Sequence, residues 1–316
     1  MGVWHLAGLG VNPGAVTAPL TYIYLLLKQS LLGDSKAKEF FRYSGEAREA
    51  LPGKPEALII FTSEAVINGK AQGNKVEDRW FKTEKKRSAL ETIKAYLQGL
   101  LEKLENQKFR KFYQEKWIKY FYSISVNHED FEDCFRKIAI TINALKDKEI
   151  WINMVGGTNQ INSALLSSSG LTSAAGTYYY VFQTNTSLLH PDIEKPDFDN
   201  LRIAVPPPSW HELPYFSLDM SQLYNRLKAV FSNRDKVNIN EIKGILKELN
   251  FPEQFLAKLR GSFLKINNQI VMKGAMLDYW LGLWNKLQDD FEKVNNFTTW
   301  KDWAEKNRIF KDIGAF

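Results

Sequence analysis

Two short runs, "ALIIFT" (Ala57 to Thr62) and "IWINMV" (Ile150 to Val155), are apolar almost without a break. A strand with one face in water alternates apolar and polar residues, so an uninterrupted run marks a strand covered on both faces. Helices supply that cover when the strands run parallel, because each parallel connection needs a crossover. Val3 to Leu9 is a third such run, and "WIKYFYSISV" and "GTYYYVFQT" read as two further strands. Helical spacing separates them. It covers Val16 to Leu32, Ser88 to about Gln107 (with Leu90, Ile93, Leu97, Leu100, Leu101 and Leu104 on one stripe), Glu129 to Leu145, and Gln160 to Ala175. Pro19 falls in the first turn of the first of these helices, where a missing N–H costs little. The charged stretch 64–88 reads as a loop. The alternation predicts an α/β fold with a doubly wound, mostly parallel sheet over residues 1–190.

The pattern then changes. Residues 191–216 carry Pro191, Pro196, Pro206, Pro207, Pro208 and Pro214, which exclude helix interior and disfavour a central strand. They read as a linker, with a transition strand near Leu201 to Val205. From 217 to 316 the spacing is helical over 217–232, 238–249, 252–260 and 274–294. The segment "SFLKINNQIVMKG" breaks it with two short apolar runs about Asn267-Asn268, a hairpin signal. This predicts a smaller, mostly helical domain, and helices followed by a hairpin fit a winged helix.

Composition narrows the chemistry. With 316 residues and 44% hydrophobic content the chain can bury two modest cores. Its net charge of +6 is compatible with an anionic ligand or nucleic acid, and equally with a plain basic surface. The single cysteine, Cys134, excludes a disulfide within the chain and fits a reducing cytoplasm. The four histidines (His5, His128, His190, His211) have no metal-ligand spacing, so no metal site and no cofactor are expected. The apolar N-terminus lacks a basic leader and is broken by glycine and proline. No apolar run reaches the roughly 18 residues of a membrane span.

Two glycine loops carry the functional signal. "GLGVNPGAVT" follows the first strand and "GGTNQIN" follows a late one. Open α/β sheets bind ligands at the carboxyl ends of their strands, where bare backbone admits a phosphate and a helix N-terminus attracts it. Asn12 and Thr17 in the first loop, and Thr158, Asn159, Gln160 and Asn162 in the second, add neutral donors. Tight turns alone would also explain the glycines. A dinucleotide fingerprint fails on spacing, because Gly8-x-Gly10 is followed by Pro13 and Gly14. Neither G-x-x-x-x-G-K-[ST] nor G-x-S-x-G is present.

"INMVGGTNQINSALLSSSGLTSAAGTYYYV" resembles the late strand–loop–helix–strand of the CRISPR-associated Rossmann-fold (CARF) family, whose members carry a "GGTK-x-M" type motif there. "GLGVNPGAVTAPL" resembles that family's first loop, where "G-x-SPG-VVT" is common. The resemblance covers residues 1–190 and implies a Rossmann-like sensor of type III CRISPR defence. It implies a homodimer that binds cyclic tetra- or hexa-adenylate across its two-fold axis. The ligand-binding residues would be Gly10, Val11, Asn12, Pro13, Gly14, Thr17, Gly156, Gly157, Thr158, Asn159, Gln160 and Asn162. Some members also cleave the ring without a metal, by attack of a ribose 2'-hydroxyl on the adjacent phosphate. Here the family's usual lysine is Asn159 and its usual serine is Pro13, which supports binding better than cleavage. A ring nuclease would rely on Asn12, Thr17, Thr158 and Asn159, with Gln160, as positioning donors.

For the C-terminal part, no arginine precedes a histidine at the spacing of a HEPN ribonuclease. "NNQIVMKGAMLDYWLGLW" resembles the opening of a restriction-type nuclease, with Asp278 at an acidic position, but Glu305-x-Asn307 is not that motif. The remaining reading is a module without a catalytic site. Lys243, Lys247, Lys258, Arg260, Lys265 and Lys273 would then be either a DNA-facing surface or a solvated helix face. Trp280, Trp284, Trp300 and Trp303 read as core or dimer contacts. Three functions stay open: a ring binder that cleaves its ring, a sensor governing a DNA-binding winged helix, and an unrelated nucleotide-binding α/β enzyme.

Overall fold

The uninterrupted apolar runs lie side by side at the centre of one sheet. A computed structural model describes residues 2–42, 53–69, 88–104, 117–172, 174–181, 202–213, 220–252 and 254–316. The strands are Val3–Gly8 (β1), Pro55–Thr62 (β2), Tyr120–Ser125 (β3), Glu149–Asn153 (β4) and Ala175–Val181 (β5). They run parallel in the order β3-β2-β1-β4-β5. Leu6 sits between Ile59 and Ile152 in register. This is the doubly wound order, with its reversal between β1 and β4.

The connecting helices are Gly14–Leu31 (α1), Ser35–Arg42 (α2), Glu64–Ile67 (α3), Ala89–Leu104 (α4), Phe131–Ala144 (α5) and Asn159–Thr172 (α6). Alternate strand residues feed two cores, as a period of two requires. Trp4, Leu6, Ile59, Phe61, Ile150 and Ile152 pack against α5 and α6. Val3, Ala7, Leu58, Ile60 and Trp151 pack against α1 and α4. α1 is buried along nearly its whole length, which is why its sequence is apolar all round.

Some boundaries differ from the sequence reading. α1 begins at Gly14, two residues early, so Pro19 is its sixth residue and lies in the second turn. The transition strand expected near Leu201 to Val205 is not formed at 202–205; a strand, Trp210–Glu212 (β6), forms later and pairs antiparallel with β5. The stretch before it lies over α1, where Gln29 accepts from Ile203 N–H (2.7 Å) and donates to Ile203 O (3.1 Å). Those bonds and the proline run leave no ladder partner for residues 202–205. Within the expected loop 64–88, residues 64–67 form α3, capped by Ser63. The remainder at 70–87, the helix end at 105–107, the strand end at 182–184, residues 191–201 of the linker and 214–219 lie outside the described residues.

From residue 220 onward come Met220–Phe231 (α7), Lys236–Asn238 (β7), Ile239–Glu248 (α8), Gln254–Leu259 (α9), Leu264–Asn267 (β8) and Ile270–Lys273 (β9). The three strands form an antiparallel sheet in the order β7-β9-β8. The β8–β9 turn holds Asn268 at φ 53°, a conformation asparagine tolerates. Ala275–Lys293 (α10) and Phe297–Lys306 (α11) then return to the large sheet, and Phe310–Asp312 (β10) pairs antiparallel with β3.

These helices share one continuous core with the α5–α6 face. Trp284 and Trp300 are buried in it and Trp280 and Trp303 half-buried, in line with the core reading of the tryptophans. Trp300 donates its indole N–H to Thr141 Oγ1 (2.9 Å), and Arg136 grips Asp290 through two bonds (2.7 and 3.1 Å). No helix among the described residues is long and apolar enough to cross a membrane.

One buried titratable group sits at the centre of the sheet. His5 is 1% exposed, with Nδ1 2.9 Å from Tyr179 Oη and its ring edge-on to Trp151. Burial lowers its pKa from 6.5 to about 3. Between those values the unfolded chain binds a proton that the folded chain refuses, so stability falls as pH drops through that window. Urea unfolding at about pH 7 and about pH 5 should show a loss approaching about 1.4 kcal/mol per pH unit. A His5→Gln variant should show a slope shallower by about that amount; an unchanged slope would place the proton uptake elsewhere.

Candidate functional site

The reversal of strand order gives the site its shape. β1 leads into α1 on one face of the sheet, and its neighbour β4 leads into α6 on the other. Two adjacent strands whose chains part in opposite directions leave a crevice at their carboxyl ends. The two glycine loops border it: 9–13 after β1, and 154–158 after β4.

Backbone contact between the two sides explains three of the glycines. A Cβ on Gly156 would lie 2.3 Å from Gly8 O, one on Gly157 2.9 Å from Gly8 Cα, and one on Gly8 2.8 Å from the Ile161 side chain. Gly157 also has φ 85°, which other L-residues rarely adopt. The bare backbone that the sequence suggests for a ligand is thus required first by the chain's own packing. Gly10 differs: a Cβ there would meet nothing within 4 Å. Among the described residues, no atom would obstruct a side chain there.

Asn153 fastens the loops together. Pro19 has no N–H, so the Ala15 carbonyl lacks its normal partner in α1. Asn153, 1% exposed at the end of β4, donates Nδ2 to that carbonyl (3.0 Å) and accepts from Val155 N–H through Oδ1 (2.8 Å). Removing this side chain would orphan both groups, at about 1–3 kcal/mol for each that stays buried.

The predicted site residues divide by exposure. Asn12 and Asn159 are exposed, while Gly10, Val11, Gly157, Thr158, Gln160 and Asn162 are half-buried; Pro13, Gly14, Thr17 and Gly156 are buried. Several donors already have structural work. Asn12 Oδ1 accepts from Gly14 N–H (2.9 Å), and Pro13 O accepts from Val16 and Thr17 N–H, which fills the opening turn of α1. Thr158 Oγ1 accepts from Ile161 N–H (3.4 Å) at the start of α6 and donates to His128 O (3.2 Å) in the loop after β3. Asn162 Oδ1 is a buried atom without a hydrogen-bond partner among the described residues. The side chains of Asn159 and Gln160 make no hydrogen bond to the described residues. An opening helical turn has amides with no intrahelical acceptor, so the start of α6 can offer N–H groups to an anion.

Loops 9–13 and 154–158 contain no lysine, arginine or histidine. The crevice offers backbone and amide donors rather than fixed cations. Sequence reasoning missed two neighbours. Val155 is an apolar side chain left 36% exposed on the second loop, a surface against which a base can lie. His128 reaches the site only through a contact between residues thirty positions apart, for which no local signal exists. Cys134 is buried, which pushes its thiol up to about 12, and Sγ donates to Asn127 O.

Elsewhere, Lys273 pairs with Asp278 (3.0 Å). Lys243, Lys247, Lys258, Arg260 and Lys265 are exposed.

The glycine geometry gives a direct test. Gly156→Ala should lower the unfolding free energy by about 1–3 kcal/mol through overpacking. Gly10→Ala should change it by no more than about 0.5 kcal/mol. Equal effects in urea unfolding would contradict the packing described here.

No family profile matches the chain. Among solved structures, Enterococcus italicus Csm6 bound to cyclic hexa-2'-fluoro-hexa-dAMP aligns over 98% of this chain and 59% of its own. The TM-score is 0.35 and the identity 12%, so the chain spans about three-fifths of that protein and the alignment assigns no residue a role. An uncharacterized protein of Archaeoglobus fulgidus is 40% identical over 312 residues, covering 96% of this chain and 95% of its own length. At that identity over nearly the full length of both, the chain belongs to the same family as the Archaeoglobus fulgidus protein.

Proposed function

We propose that the protein is a cytoplasmic accessory protein of type III CRISPR defence that binds cyclic oligoadenylate, and that two copies bind one ring between them. One observation carries the reading: the two stretches that resemble CARF motifs, distant in sequence, border a single crevice at the switch point of a doubly wound sheet. A ring of phosphodiesters suits backbone amides and a helix start, and a two-fold ligand suits an isologous dimer. Asn12, Asn159 and Gln160 would face the ring, with Gly10 giving its backbone room.

Binding is favoured over turnover. Stabilising charge on an attacked phosphate calls for a cation or dedicated donors. Loops 9–13 and 154–158 supply no cation, and Thr158 is committed to capping α6. A metal-independent ring nuclease acting by 2'-hydroxyl attack is the enzymatic version of the same reading.

A second reading concerns 217–316, joined to the sensor (1–190) by the Pro-rich 191–216. Helix, strand, helix, helix and hairpin follow one another in α7-β7-α8-α9-β8-β9, the order of a winged helix, and Lys258 on α9, Arg260 just after it and Lys265 on the hairpin are exposed. This supports a DNA-binding module governed by the sensor.

Calorimetry with cyclic tetra- and hexa-adenylate, followed by chromatography of the ligand, tests the proposal. The expected result is binding of one ring per two chains, with the ring recovered intact. Linear products with cyclic-phosphate ends would assign a ring nuclease instead. Failure to bind either ring would overturn the reading.

A further inference from the structure

The loop after β3, residues 126–130, is held against the loop after β4 by the bond from Thr158 Oγ1 to His128 O (3.2 Å). His128 is half-buried, and its imidazole has no hydrogen-bond or ion-pair partner among the described residues. It is the only residue able to carry positive charge in the described loops that follow β1, β2, β3 and β4.

The acidic groups around it are mostly engaged. Asp130 accepts from the N–H groups of Glu132 and Asp133 (2.9 and 3.3 Å) as the cap of α5. Asp133 accepts from Asn127 N–H and pairs with Lys137 (both 2.7 Å). Glu132 lies 3.8 Å from Lys286 of α10 and bonds to Tyr279. Glu129 is exposed and has no ion pair among the described residues; the facing loop, 154–158, carries no charged side chain.

We infer that residues 126–130 form a third wall of the crevice and that His128 is a ligand contact, supplying a donor or positive charge toward a phosphodiester-bearing nucleotide. The assignment rests on the proposed nucleotide-binding role of the crevice. Its physical basis is that two loops without a cation still face an anion. The one neighbouring imidazole is fastened to them through its own backbone, so the side chain stays free to act.

Calorimetric titration of wild type, His128→Ala and His128→Arg with cyclic tetra- and hexa-adenylate tests it, with a thermal melt of each. Thr158 bonds to the carbonyl, which every substitution keeps, so the melts should coincide. His128→Ala should weaken ring binding about tenfold, the loss expected for one hydrogen bond to a charged group, and His128→Arg should restore most of it. Wild type and His128→Ala binding a ring equally well would overturn this assignment alone. Wild type that binds neither ring would overturn it together with the reading beneath it.

Discussion

The contact of Gly8 with Gly156 and Gly157 is the constraint on which the rest of the site depends. It joins the ends of two adjacent parallel strands whose chains leave on opposite faces of the sheet. Side chains would hold those ends apart: a Cβ on Gly156 would meet the Gly8 carbonyl at 2.3 Å. With glycine at all three positions, the starts of α1 and α6 come together at one crevice. Asn153 then ties the loops, because Pro19 leaves the Ala15 carbonyl open to it. The site is therefore a consequence of strand order, three missing side chains and one missing N–H.

That account changes what the glycines mean. A Gly-Gly pair after a strand is compatible with a phosphate approaching bare backbone and with a tight turn. Here the neighbour that approaches is another strand end. The functional weight moves to Gly10, which no packing explains, and to the exposed amides of Asn12 and Asn159. It moves also to α6, where the amides of Asn159 and Gln160 have no acceptor among the described residues, whereas those of Gly14 to Thr17 in α1 are filled.

Much of the sheet was legible because burial on both faces leaves a local mark. "ALIIFT" and "IWINMV" became β2 and β4 at nearly their expected positions, and the helical stripes became α4, α5 and α6. The hairpin about Asn267-Asn268 was legible from its turn residues. What depended on distant partners was not. β6 and β10 are three residues each and exist because β5 and β3 present open edges to them. The start of α1 was missed by two residues because Asn12-Pro13-Gly14 reads as a turn, yet Asn12 and Pro13 accept the first amides of a helix. The site loops were legible as motifs. Their mutual packing, the role of Asn153 and the nearness of His128 were not, since each rests on residues tens of positions apart.

The central claim is that an anionic ring is held by the backbone of these two loops. Hydrogen–deuterium exchange of the protein with and without cyclic hexa-adenylate tests it at the level of individual amides. The account predicts slowed exchange confined to residues 10–14, 126–130 and 156–162, with the strand interiors unchanged. Slowed exchange in other segments, with these two loops exchanging as before, would contradict it.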